Sequence, residues 1–215
     1  MARPATLSPD RILAAAAVEF AERGYAGARV DRIARRARVN KAMLYYHFGS
    51  KRTLYRTLLR QIFSSAAERL RTIAESVAPA EQKIDRVIAA MAEFMAEHAF
   101  FPAIMLREVA EGGAHLDRDT LQALAAVPLA VGAIVQQGIA DGHLRRVHPI
   151  AAYFTMFAPI VMYLAGEPIR KELAATHLAN MSALTPDLFV RHLQESVHSG
   201  LAAAPRTAHS AAKRL

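Results

Sequence analysis

The segment Arg29–Lys51, RVDRIARRARVNKAMLYYHFGSK, leaves this chain few ways to fold. Arg29 to Ala37 sets Val30, Ile33, Ala34 and Ala37 on one face at helical spacing. Arg38, Val39 and Asn40 follow as a turn. Asn40 suits an N-cap, because its side-chain oxygen accepts from a free amide of the next helix. That helix, Lys41 to Phe48, turns only Leu44 and Phe48 inward. Its outward side carries Ala42 and Tyr46, flanked by Met43, Tyr45, His47 and the stem of Lys41. Rings, an imidazole and an ammonium crowded on the exposed side of one short helix do little for solubility alone. They suit a helix that enters a DNA major groove while the surrounding motif holds phosphates.

Charge supports that reading. The chain of 215 residues has a formal net charge of +8. Residues 1–60 hold 13 Lys and Arg against 4 Asp and Glu, whereas residues 61–215 hold 14 against 15. A basic head on a near-neutral body is the electrostatic footprint of a polyanion-binding domain. A solvated basic face without a partner is the bland alternative.

The length is enough for a sizeable core. The chain is 53% hydrophobic, rich in Ala and without alternating strand patterns, which predicts an all-α protein. It has no cysteine, so disulfides and thiolate metal sites are excluded, and a reducing cytoplasm is compatible. MARPATLSPD has no apolar core and does not read as a signal peptide.

The first helix opens with Ser8 as N-cap, Pro9 at the first helical position and Asp10 in the first turn. Ile12, Leu13, Ala16 and Phe20 form its inward stripe, Gly24 ends it as a left-handed cap, and Tyr25 packs back under the motif. Arg3 precedes it on a flexible arm. A long helix from about Ser50 to Val77 buries Leu54, Leu58, Ile62, Ala66, Leu70 and Ile73. Further helices are predicted over about Glu81–Ala99, Ala103–Glu111, Asp117–Asp141, Pro149–Ala165 and Pro186–Leu201, with a kink or break near Val127 ahead of Pro128. Residues 202–215 read as a frayed basic tail.

The segment Ser8–Leu59 resembles the DNA-binding domain of TetR-type transcriptional regulators, on the stretches RILAAAAVEFAERGYAGARV, DRIARRARVNKAMLYYHFGSK and RTLYRTLL. The resemblance covers about the first quarter of the chain and implies architecture only beyond it. It implies a three-helix helix-turn-helix domain over residues 1–50, a helical effector-binding and dimerisation domain over 51–203, and a flexible tail over 204–215, with about nine helices in all. Lys41, Ala42 and Tyr45 match positions that reach base edges in such proteins, with Met43 an apolar contact for a thymine methyl. Tyr46, His47 and Lys51 match phosphate-holding positions, and Asn40 stands with them at the helix start. Two positions depart from the family pattern. Arg29 replaces a small hydroxyl residue and reaches phosphate only by a longer arm. Arg38 replaces the turn glycine, which costs roughly 1 kcal/mol if the backbone there is left-handed.

Between His148 and Glu167 no residue is charged. A membrane span is one reading, but Pro159 interrupts the run. A dimer interface is the preferred one, built from Tyr153, Phe157, Ile160 and Leu164 with Phe189, Leu193 and Val197 of the last helix. The architecture also implies an effector cavity, for which Phe94, His98, Phe101, Met105, Met156 and Tyr163 are candidates; ordinary core is the bland reading of each. No catalytic constellation appears, and the nine histidines never fall at helical pair spacing, so no metal or cofactor is implied. The expected protein is a cytoplasmic, homodimeric regulator, most often a repressor in such families, that binds a palindromic operator in double-stranded DNA and is released by a small apolar or aromatic effector. It has no membrane partner and is not an enzyme. A helical small-molecule-binding protein with a non-functional head is the alternative.

Overall fold

The computed structural model of the chain describes residues 9–203, apart from the side chain of Ser182. Ser8, the Arg3 arm and the tail over 204–215 therefore lie outside the described residues. Within them the backbone forms ten α-helices and a single 3-10 turn at Met181–Ala183: α1 (Pro9–Gly27), α2 (Val30–Ala37), α3 (Lys41–Phe48), α4 (Lys51–Glu75), α5 (Ala80–Glu97), α6 (Phe101–Ala110), α7 (Arg118–Ala140), α8 (Pro149–Ala165), α9 (Glu167–Ala175) and α10 (Pro186–Leu201). The all-α expectation holds.

The apolar stripes read from periodicity are the ones that pack. Ile12, Leu13, Ala16 and Phe20 of α1 meet Ile33 and Ala37 of α2, Leu44 and Phe48 of α3, and Leu54 at the start of α4. α4, of 25 residues and so about 37 Å long at 1.5 Å per residue, then continues out of this head. It lies along α7 in the most extensive helix packing of the body. Ile84, Val87, Ile88, Met91, Phe94 and Met95 of α5 complete that core with α7 and α8. Head and body thus share α4 as a common rod, and α6 braces α1 from the side.

Four details differ from expectation. Gly24 has a positive φ of 68° but ψ of 175°, so it bends the chain inside α1, which resumes to Gly27. Pro128 does not break α7, which runs continuously through it. Residues 167–175, an unassigned polar segment in the sequence, form α9, whose first turn starts at Glu167-Pro168. Ala202 and Ala203 do not fray; Ala202 bridges Leu144, and the Ala203 amide donates to the His143 carbonyl at 3.1 Å.

By length and composition α7 is apolar enough to cross a membrane, whereas α8 qualifies only jointly with α9, to which it is bent by 50°. α7 nevertheless packs along α4 and α8 as the centre of the body.

Candidate nucleic-acid interface

The turn between α2 and α3 is built as the sequence dictates. Asn40 is extended and its side-chain oxygen accepts from the Met43 amide at 2.7 Å, which starts α3. Leu44 and Phe48 are buried in the shared core and hold α3 against α2 and α4. Ala42, Tyr45, Tyr46 and His47 are exposed, and Met43 is half-buried beside them. Tyr46 is 83% exposed and meets the His47 ring edge-on at 5.3 Å, so two aromatic groups stand in solvent together. Arg38 occupies the left-handed region, at φ 55° and ψ 45°, where its amide closes the end of α2.

Electrostatics fix the motif from beneath. Glu19 of α1 is 1% exposed; its Oε1 accepts from the Arg29 amide at 3.1 Å and from Arg32 Nε at 2.6 Å. Burial alone raises the Glu19 pKa, but these bonds and the nearby Arg36 outweigh it and hold the carboxyl below its ordinary 4.5. Glu22 pairs with Arg36 at 3.1 Å on the outer side. Two carboxylates of α1 thereby hold α2 in place and leave Arg29, Arg35 and Arg38 exposed.

Lys41 and Asp31 form an exposed pair at 2.9 Å, whose hydrogen bond raises the ammonium pKa and lowers that of the carboxyl. Such a pair is weak in water, so Lys41 can leave it for a stronger anion. Lys51 stands differently from its sequence reading. Its Nζ donates to the carbonyls of Tyr25 at 2.9 Å and Ala28 at 3.2 Å, and lies 4.6 Å from the Tyr25 ring centroid. It caps the end of α1 rather than extending as a free arm. The signal was available: a cation opposes the positive end of the α4 dipole and needs acceptors elsewhere. Arg29 meets Glu19 through its amide, and its side chain stays at the surface.

The expected effector residues do not converge on one cavity. Phe94 and His98 stack on each other at 4.3 Å, and His98 Nδ1 lies 2.8 Å from the Phe94 carbonyl. Phe101 packs edge-on against Phe63, and Met105 is half-buried on α6. Met156 lines a void of only about 10 Å³ between α5, α7 and α8. Tyr163 alone lines an open groove, of about 560 Å³ between α5, α8 and α10, with Ala89, Ala92, Leu164, Phe189 and Val190.

The seven expected dimer residues divide. Tyr153, Ile160, Leu193 and Val197 are buried within the protomer, so its own core has used them. Phe157, Leu164 and Phe189 are half-buried at the margin. The large apolar residues that α8 and α10 turn to solvent are Phe154, Met162 and Leu188, at 59%, 60% and 44% exposure. Sequence reasoning did not set Phe154 and Met162 apart because α8 is apolar on every side and its outward side carries no distinguishing polarity.

Residues 12–58 match the family model "Bacterial regulatory proteins, tetR family". Over 185 residues, 85% of this chain and 87% of the relative, the sequence is 29% identical to the HTH-type transcriptional repressor NicS of Pseudomonas putida. It is 27% identical to the HTH-type transcriptional regulator RutR of Escherichia coli, over 80% of this chain and 84% of that protein. The fold superposes on the transcriptional regulator FadR of Bacillus subtilis, in complex with stearoyl-CoA, with a TM-score of 0.71 at 20% identity, covering 90% of this chain and 99% of that one. The buried helix-turn-helix scaffold, the exposed α3 and these likenesses agree: residues 12–58 form a DNA-binding domain of the TetR type, and the chain as a whole is similar to transcriptional regulators that carry it.

Proposed function

We propose that the chain acts in the cytoplasm as a homodimeric repressor that binds a palindromic operator and leaves it when a small apolar or aromatic effector binds. The observation that carries this reading is the outward side of α3, where Ala42, Tyr45, Tyr46 and His47 stand exposed on a scaffold that fixes the helix rigidly. In this account Lys41, Ala42, Met43 and Tyr45 meet base edges, and Tyr46, His47 and Arg29 meet phosphates beside the α3 N-terminus set by Asn40. Lys51 contributes by holding α1 and α4 together.

One α3 reads only a few base pairs, and two copies multiply modest half-site affinities. The dimer face is Phe154 and Met162 of α8 with Leu188 of α10, supported from below by Tyr153, Ile160, Leu193 and Val197 and flanked by Phe157, Leu164 and Phe189. An effector fits the groove beside Tyr163, whose volume lies in the usual range for small-ligand sites. The stearoyl-CoA bound to FadR supports a small-molecule effector by analogy. Such a ligand acts by binding one arrangement of the two heads better than the other.

Selection from a random DNA pool with the purified full chain at near-physiological salt tests the reading. An enriched inverted repeat is the expected outcome. A stable dimer that enriches nothing, with or without candidate effectors, favours a ligand-binding protein whose head no longer works.

A further inference from the structure

The junction of head and body holds a polar cluster that DNA binding does not use. Glu108, in the last turn of α6, is 2% exposed. Its Oε1 accepts from the Tyr55 hydroxyl of α4 at 2.7 Å and lies 2.9 Å from His115 Nδ1. Its Oε2 is equally buried and has no hydrogen-bond partner among the described residues. The carboxylate of Glu111 reaches the same His115 nitrogen at 3.2 Å. The left-handed Gly112 and Gly113, at φ 67° and 74°, turn the chain so that His115 returns over the helix end. Tyr25 covers the imidazole at 4.0 Å and Tyr55 meets it edge-on at 5.8 Å, which fixes its orientation.

A proton on His115 Nδ1, shared between the two carboxylates, satisfies Glu108 Oε1 and leaves Oε2 unanswered. Native structures rarely bury a charged oxygen without a partner. A cation answers all of it: it takes the nitrogen lone pair, offsets both carboxylates and gives Oε2 a ligand role. One ligand atom from each of Glu108, Glu111 and His115 already lies within 4.8 Å of the others. Ligand bonds of about 2.0–2.2 Å place donors roughly 3.4 Å apart around a tetrahedral ion, so closure needs only small side-chain shifts. One imidazole and two carboxylates suit zinc and neighbouring first-row divalent ions rather than thiolate-seeking ones.

We propose that Glu108, Glu111 and His115 bind a divalent transition-metal ion of the Zn²⁺ class where α6 meets α1 and α4, with the Tyr55 hydroxyl orienting Glu108. The site is independent of the operator and of the effector groove. It holds a single histidine and lies across the end of α6 at Ala110, so it escapes a search for helical histidine pairs.

Titration of the chelator-stripped full chain with Co²⁺, read by visible absorption, and then with competing Zn²⁺ tests the proposal. The wild type is expected to take up one ion per chain with a tetrahedral Co²⁺ spectrum. Glu111→Ala, at an exposed position that leaves the fold intact by circular dichroism, is expected to weaken binding at least tenfold. His115→Ala is expected to abolish it. Absence of stoichiometric binding in the wild type overturns the site. So does unchanged binding in Glu111→Ala and His115→Ala, which places the ion on other histidines.

Discussion

The Lys51 ammonium donates to the Tyr25 carbonyl at 2.9 Å while lying 4.6 Å from the centroid of the same residue's ring. One residue thus gives Lys51 both a hydrogen-bond acceptor and a π-face. Tyr25 in turn contacts Phe20, Tyr55 and His115, which joins the end of α1 to α4 and to the loop after α6. The pair ties the end of α1 to the start of α4, where the recognition domain joins the body.

Lys51→Ala is therefore expected to lower the unfolding free energy by about 1–3 kcal/mol, since carbonyls at the end of α1 lose a charged donor. Urea unfolding reads it directly. Unchanged stability together with weakened operator binding would restore Lys51 to the role of a phosphate contact.

Glu19 gives the head a defined acid sensitivity. Its folded pKa lies below the ordinary 4.5, so its contribution is fully present above that value and is lost as pH falls through the lower folded pKa. Glu19→Gln is expected to cost about 1–3 kcal/mol at neutral pH and to flatten the decline in stability below about pH 4.5. An unaltered acid limb in a pH series of melting curves would show that other carboxylates govern it.

Arg38→Gly is expected to stabilise the turn by roughly 1 kcal/mol, because glycine adopts φ 55° without a Cβ penalty. Thermal unfolding distinguishes this from the opposite case, in which the Arg38 side chain contributes more than its backbone costs.

Phe154→Asp and Met162→Asp place charges on the proposed dimer face at positions the protomer does not bury. Each is expected to shift sedimentation velocity from dimer to folded monomer. A wild-type chain that already sediments as a monomer, or variants that remain dimeric through another surface, would remove that face from the account.

The helix-turn-helix was legible because its signals are local. Asn40 caps, Leu44 and Phe48 anchor, and two tyrosines left outside on so short a helix mark a surface built for contact. The stripes of α4 and α5 were equally plain from a single period. What escaped depends on tertiary partners. Lys51 reads as a free cation until the end of α1 is folded beside it. Ile160 and Met162 are alike in sequence, and only packing against α5 and α7 decides that the first is core and the second surface. Pro128 reads as a break, yet neighbouring helices keep α7 continuous. Glu108 and His115 acquire meaning only when Tyr55 and Tyr25 close over them.

The central claim, that α3 reads DNA, is tested most directly by the ratio of selected-operator to random-DNA affinity across a salt series for the wild type and for Lys41→Ala/Tyr45→Ala. Contacts to several phosphates make wild-type affinity fall steeply with salt, while base contacts set the ratio. The account predicts that the double variant, with folding and oligomeric state unchanged, loses about 1–3 kcal/mol of discrimination for each base contact removed. A ratio equal to that of the wild type would contradict it and place sequence recognition elsewhere on the head.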